Sequence, residues 1–165
     1  MKLGVMADSH DNVPMVRRAV ELFNARGVGL VVHAGDFVAP FAVAPLADLG
    51  CLVLAVFGNN DGERVGLAKR FEGIGQVHPN LAAAEPAGRR VAAVHYPELA
   101  EPIAASGAFD LVVYGHTHEV DVRKQGSTLV VNPGEVGGWL TGRSTVAVVD
   151  LETMEAEILD LADGP

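Results

Sequence analysis

Short apolar runs, each ending in a cluster of polar residues, set the rhythm of the first half of the chain. Lys2–Ala7 runs into Asp8-Ser9-His10, Leu30–His33 into Ala34-Gly35-Asp36, and Leu52–Phe57 into Gly58-Asn59-Asn60-Asp61. Continuous apolar runs of this length read as strands of a parallel sheet covered on both faces. The segments between them read as helices. Asp11-Asn12-Val13-Pro14 offers capping residues and a proline suited to a first turn, and Val16, Val20 and Phe23 follow at helical spacing before Gly27. A second helix is predicted over Phe41–Leu49, closed by Gly50, and a third over Arg64–Phe71, ended by Gly73-Ile74-Gly75.

Beyond Pro79 the texture becomes mostly strand. Runs at Leu81–Ala84, Arg90–His95, Asp110–Tyr114, Val120–Lys124, Thr128–Asn132, Ser144–Asp150 and Met154–Asp160 are interrupted by a helix near Glu98–Ser106. Gln125-Gly126-Ser127 and Leu151-Glu152-Thr153 read as tight connections within antiparallel pairs. Together these elements predict an α/β fold in a single domain over 1–165. Two sheets pack face to face with helices outside, the first mostly parallel and the second mixed or antiparallel. There is no linker, repeat or low-complexity tract, and the tail Ala162–Pro165 is expected to fray.

Composition narrows the class. A chain of 165 residues, 49% apolar and 5% aromatic, suits strands covered by alanine-rich helices; at this size folding buries about 68–70% of the unfolded surface, so no metal or disulfide is needed for a core. Cys51 is the only cysteine and is expected to be a buried thiol, which makes a cytoplasmic location the default. No run approaches the roughly 20 apolar residues of a membrane span. Met1-Lys2-Leu3 enters a strand without a signal peptide's pattern, so an unprocessed chain is expected. A net charge of -9 opposes attraction to long nucleic acid or an anionic membrane surface. A small phosphate ester is not excluded by it.

The candidate chemistry lies where the apolar runs end. In a parallel α/β sheet the carboxyl ends of strands gather along one edge, where ligands bind. That edge would collect Asp8, His10, Asp36 and Asn59, together with His95 after Val91–Val94, and His116 and His118 from Tyr114-Gly115-His116-Thr117-His118. Four imidazoles, two carboxylates and an amide, with no thiolate, form a donor set for borderline or harder divalent cations. Two such ions about 3.5–4 Å apart support hydrolysis at phosphorus. They would bring +4 against the two carboxylates, leaving +4 - 2 = +2 locally on an acidic protein.

The order and strand context of Asp8-Ser9-His10, Gly35-Asp36, Gly58-Asn59-Asn60-Asp61, His95 and Gly115-His116-Thr117-His118 resemble those of the calcineurin-like metallophosphoesterases. The resemblance runs from residue 3 to about residue 150. The Ala-Asp-Ser-His-Asp-Asn opening and Asn132-Pro133-Gly134 make the chain most similar to the small single-domain bacterial and archaeal phosphodiesterases of that superfamily. It implies a β-sandwich of two mixed sheets flanked by helices and a dinuclear site. Asp8, His10 and His118 would hold one ion, Asn59, His95 and His116 the other, and Asp36 would bridge them. A hydroxide bridging the ions would attack the phosphodiester. Mn²⁺ is the first expectation, with Fe²⁺, Zn²⁺, Ni²⁺ and Mg²⁺ as alternatives, and a homodimer or homotetramer fits the family.

Asn60 stands where many relatives carry a histidine, and an amide cannot act as a general acid at neutral pH. Tyr96-Pro97 replaces a common glycine, and Glu135 stands where the most similar relatives often have serine. The catalytic assignment covers Asp36, Asn60 and Asp61, with Asp61 also able to orient its loop or cap the following helix. Substrate contacts are assigned to Asn60, to Arg143 as a phosphate clamp, and to Asn12, which also suits a helix start. His33 is expected to orient the Gly35-Asp36 loop, and His78 to be exposed. Trp139-Leu140 suits a pocket wall, a nucleobase platform or an oligomer contact. Two other functions share the fold. One is a phosphomonoesterase using the same ions. The other is a catalytically weak interaction scaffold, as the similar fold of the retromer subunit allows.

Overall fold

The computed structural model describes residues 1–162, so residues 163–165 of the expected frayed tail lie outside the described residues. One sheet has the strand order β11-β10-β1-β2-β3-β4. It comprises β1 (Lys2–Met6), β2 (Leu30–His33), β3 (Val53–Val56), β4 (Gly75–His78), β10 (Thr145–Asp150) and β11 (Glu155–Asp160). The pairs β1–β2, β2–β3 and β3–β4 are parallel, and β10 pairs antiparallel with both β1 and β11. The second sheet runs β5-β6-β7-β9-β8, from β5 (Leu81–Ala84), β6 (Val91–Val94), β7 (Leu111–Val113), β8 (Val120–Gln125) and β9 (Thr128–Pro133). It is mixed: β6, β7 and β9 are parallel, with an antiparallel strand at each edge.

Alternation along β1 shows how the layers stack. Leu3, Val5 and Ala7 face the second sheet, where they meet Val91, Ala93, Leu111, Val113 and Val131. Met6, on the other face, packs with Val16, Val20 and Phe23 of α1 (Val13–Arg26). Gly4 lies against the Phe23 ring, close enough that a Cβ would sit 2.9 Å from it. On the outer face of the second sheet, Ala92, Val94, Val112 and Val130 are covered by Ala100 and Ala104 of α3 (Pro97–Ala105). The anticipated two-sheet sandwich with helices outside is thus the structure.

Several local expectations are corrected. Residues Pro40–Asp48 form a 3-10 rather than an α-helix, with Pro45, which has no amide hydrogen to donate, inside it. Gly75–His78 is a fourth parallel strand where a helix terminus alone was expected. Its pattern is too polar to read as a strand. The last two strands join the first sheet, where β10 pairs with β1. The third helix, α2 (Arg64–Arg70), and both tight antiparallel turns lie as anticipated. Cys51 and His78 are both half-buried, so neither the buried thiol nor the exposed imidazole is found. Among the described residues no helix is long and apolar enough to cross a membrane.

Phe23 is fully buried at the centre of the α1 contact. Phe23→Ala is expected to lower unfolding free energy by about 3–5 kcal/mol, the usual cost of a cavity left by an aromatic ring. Urea denaturation followed by circular dichroism measures it.

Candidate metal centre

Five strands, β1, β2, β3, β6 and β7, deliver their carboxyl ends to one end of the sandwich. The loops that follow are stitched together by main-chain hydrogen bonds. Asp8 N donates to Gly35 O (3.0 Å), His10 N to Asp36 O (3.1 Å) and Gly115 N to His95 O (3.1 Å). Across the two sheets, His116 N donates to the Asp8 carboxylate (2.9 Å). Asp8, His10, Asp36, His116 and His118 all have positive φ, between 42° and 71°. L-residues other than glycine seldom adopt that conformation, and such strain collects at functional sites.

Glycine permits the closest approaches. Gly35 has φ +97°, and a Cβ there would meet Gly58 N at 2.7 Å and His95 Nδ1 at 2.8 Å. A Cβ on Gly58 would lie within 2.7 Å of the Asp36 carboxyl carbon. The central carboxylate therefore rests directly on backbone.

The seven donors anticipated from sequence converge. His10 Nε2 lies 3.3 Å from His118 Nε2 and 3.9 Å from Asp8 Oδ1, and His118 Nε2 lies 3.7 Å from the same oxygen. Asn59 Oδ1 is 2.9 Å from both His95 Nε2 and His116 Nδ1. Between these groups, Asp36 Oδ2 is 3.6 Å from His10 Nε2 and 3.6 Å from His95 Nε2.

The protonation pattern makes this a cation site. His95 donates from Nδ1 to the Ala34 carbonyl (2.7 Å), and His118 donates from Nδ1 to Glu135 (2.9 Å). A carbonyl or carboxylate can only accept, so in the neutral imidazoles both Nε2 atoms present lone pairs inward. Asp8 Oδ1 is buried with no hydrogen-bond partner. Asp8, His10 and His118 form one cluster of ligand atoms within 4.8 Å, and Asp8, Asp36 and His95 form another. Acceptors aimed at one another this closely fit divalent cations.

Burial and the charge of Asp36 push the Asp8 carboxyl from its ordinary 3.8 up to about 8. Burial lowers His10 and His95 despite the nearby Asp36 charge. His33, fully buried behind them, is lowered to about 3 by burial and by His95. It accepts from Gly35 N (3.2 Å) and so orients the loop as expected.

The remaining assignments divide. Asn60 donates from its main chain to Asp36 Oδ1 (2.8 Å) and from Nδ2 to Asp36 Oδ2 (2.7 Å), which puts its amide at the centre of the site. Asp61 is buried. One oxygen accepts from Asp36 N (3.0 Å) and Gly58 N (2.7 Å), the other from Val38 N (2.8 Å). With both oxygens committed to backbone it is a positioning residue rather than a reacting one, and it does not cap α2, whose N-cap is Glu63.

Asn12 caps α1 through Met15 N and donates one amide hydrogen to Gly137 O (2.7 Å). Arg143 donates from Nε to Asp160 (3.2 Å) and is otherwise exposed.

Glu135 was noted from sequence only as a departure from serine, and its role beside His118 was missed. It is fully buried and accepts from His118 and from the backbone of residues 139–141. Burial raises its pKa, but the Thr141 and His118 hydrogen bonds outweigh that and hold it below the ordinary value. The signal available was a carboxylate directly after Asn132-Pro133-Gly134.

A calcineurin-like phosphoesterase superfamily domain model matches residues 1–154. The chain is 37% identical to the phosphodiesterase MJ0936 of Methanocaldococcus jannaschii, covering 94% of this chain and 96% of that one. The solved structure of an archaeal phosphodiesterase superposes with a TM-score of 0.92 at 36% identity, covering 97% of this chain and 99% of that one. Vps29 of Chaetomium thermophilum shares the fold, with a TM-score of 0.70 at 13% identity over 97% of this chain and 94% of that one.

Without metal the site should weaken the fold as pH rises. A carboxyl whose folded-state pKa exceeds its unfolded value holds extra protons when folded, so stability declines between the two values. Asp8 spans that window from 3.8 to about 8. The depressed imidazoles His10, His33 and His95 act in the opposite sense, but only below their ordinary 6.5, above which the unfolded chain is also neutral there. The melting temperature of chelator-treated protein is therefore expected to fall from pH 6.5 to about 8, and saturating Mn²⁺ to remove the fall. A metal-free melting temperature flat or rising across that window would contradict the account.

Proposed function

The chain belongs to the calcineurin-like phosphoesterase superfamily, and from that premise we propose that it is a metal-dependent phosphodiesterase acting on small phosphate esters. One observation carries the reading. Asp36 Oδ2 lies 3.6 Å from imidazole nitrogens on both sides, His10 Nε2 and His95 Nε2, as a shared ligand must. Asp8, His10 and His118 would hold one divalent ion, Asn59, His95 and His116 the other, with Asp36 common to both. When bound, such ions supply Lewis acidity, acidifying water and neutralising phosphoryl oxygens. The nitrogen and oxygen donors without thiolate favour Mn²⁺, with Fe²⁺, Zn²⁺, Ni²⁺ and Mg²⁺ as the other candidates.

The chain's own residues do the rest. Ala34 and Glu135 fix the protons of His95 and His118 at Nδ1. Asp61 holds the Asp36 and Gly58 loops in register. Asn60 presents an amide donor beside Asp36 that can hold an anionic oxygen but has no proton to give the leaving group. Esters whose leaving oxygen departs as an anion are the natural substrates of such a site. We place this activity in the cytoplasm, in a homodimer or homotetramer. An interaction scaffold on the same fold is the second reading, and the complete set of seven donors favours catalysis over it.

Chelator-treated protein is expected to hydrolyse bis-p-nitrophenyl phosphate only after Mn²⁺ is added. Asp36→Ala should lose both bound metal and turnover, since one carboxylate serves both ions. Bound Mn²⁺ without turnover of this or other diesters would support the scaffold.

Asn60→His tests the missing acid. General acid catalysis contributes about 10²–10⁴-fold, most where the leaving oxygen is basic. Turnover of alkyl esters is expected to rise more than that of nitrophenyl esters. Equal changes in both would remove the role assigned to Asn60.

A further inference from the structure

The Glu135 carboxylate collects five donors from two directions. Oε2 accepts from His118 Nδ1 (2.9 Å) and Trp139 N (3.1 Å). Oε1 accepts from Leu140 N (3.0 Å), Thr141 N (2.6 Å) and Thr141 Oγ1 (2.8 Å). A fully buried carboxylate is costly unless its lone pairs are filled, and here each oxygen is filled at least twice. One of the five donors is a metal-ligand candidate, and the other four belong to the 139–141 turn.

That turn leads back to the same centre. The Trp139 indole Nε1 donates to His10 O (3.1 Å), so the ring lies against a second ligand of the same ion while remaining 65% exposed. Gly137 N donates to Asp8 O (3.0 Å), and Val136 N to Ala7 O (2.9 Å). The 135–141 segment therefore touches Asp8, His10 and, through Glu135, His118, the three residues of one donor cluster, without contributing a ligand.

We infer that Glu135 is a positioning residue that couples this ion site to the Trp139 turn: it fixes the His118 proton at Nδ1, keeping Nε2 free for metal, and with the same carboxylate orders the turn that packs on His10. The inference rests on the metal-site reading above. Withdrawal of electron density from the imidazole by a bound cation strengthens its N–H donation to Glu135, so occupancy and turn order reinforce each other. An amide cannot replace this carboxylate. Glutamine would have to turn its NH₂ toward either His118 Nδ1–H and Trp139 N–H or the Leu140 and Thr141 donors.

Wild type, Glu135→Gln and Thr141→Val are compared by calorimetric Mn²⁺ titration. Acrylamide quenching of Trp139, the chain's one tryptophan, is measured on the same metal-free proteins. Glu135→Gln is expected to weaken Mn²⁺ binding about 10–100-fold, the usual effect of losing a ligand's partner, and to raise quenching. Thr141→Val keeps the His118 contact and should raise quenching while weakening Mn²⁺ binding less than Glu135→Gln does. Wild-type affinity in folded Glu135→Gln overturns the inference, and so does equal loss of affinity in both variants.

The His118 tautomer, read by long-range ¹H–¹⁵N correlation on metal-free wild type, decides the matter if Glu135→Gln does not fold. A proton on Nδ1 supports the inference, and a proton on Nε2 alone overturns it. Failure of wild type to bind Mn²⁺ would instead sink the metal-site reading, which that tautomer measurement leaves untouched.

Discussion

Acceptors crowded at one end of a β-sandwich are the constraint on which the rest of this structure depends. Ligand oxygens of Asp8 and Asp36 lie within 4.8 Å of each other and of His95. Were both ionised, two unit charges at that separation would repel by about 3–4 kcal/mol at an effective dielectric near 20, which helps push the Asp8 carboxyl up to about 8. The two imidazole Nε2 atoms whose protons are fixed at Nδ1 add lone pairs to the same space. Nothing in the chain's own hydrogen-bonding inventory answers Asp8 Oδ1, which is buried without a partner. The fold keeps this arrangement because its stability is generated elsewhere, in the apolar layer between the sheets and under α1. Asp8 Oδ1 is thus left unpaired for a ligand rather than satisfied from within.

Holding them there takes two further carboxylates that never face the centre. Asp61 gathers the backbone of Asp36, Val38 and Gly58 on one side, and Glu135 gathers residues 139–141 and His118 on the other. Each converts a loop with left-handed φ values, costly in isolation, into one of few geometries available. Asn132 does the same for the paired histidines, donating from Nδ2 to Gly115 O (3.1 Å) and Thr117 Oγ1 (3.0 Å). Ligand placement is therefore a property of anchored loops on rigid strand ends, which explains how residues as far apart as Asp8 and His118 meet within a few ångströms.

Much of this could be read from sequence because its physics is local or periodic. Apolar runs announced β1, β2, β3, β6 and β7, and the donors stand immediately after them, so the rule that strand carboxyl ends share an edge brought all seven together. What could not be read depends on partners distant in the chain. Gln76 and His78 do not look like strand residues, yet β4 forms because β3 offers it a parallel edge. Arg143 follows a glycine as a phosphate clamp might, and it pairs with Asp160 on β11. Asn12 was correctly read as a helix start, but Gly137, 125 residues away, takes its other end. Glu135 resembles any loop carboxylate until the 139–141 turn and His118 fold around it.

The same geometry bears on selectivity in the proposed reaction. Asn60 is fixed twice to Asp36, by main chain and by Nδ2, so its amide is oriented before any ester arrives. An amide donor has no protonation state to lose, so its hydrogen bond to an anionic oxygen is indifferent to pH where an imidazolium's would vanish above its pKa. It also brings no net charge, so the local +2 of two divalent ions against Asp8 and Asp36 is unaltered by it. A histidine at this position would add acid catalysis and make the site's charge depend on pH. Asparagine trades both for a fixed dipole, and the burden of departure then falls on the leaving group itself. In the proposed reaction, discrimination among esters would then follow the acidity of the alcohol that leaves.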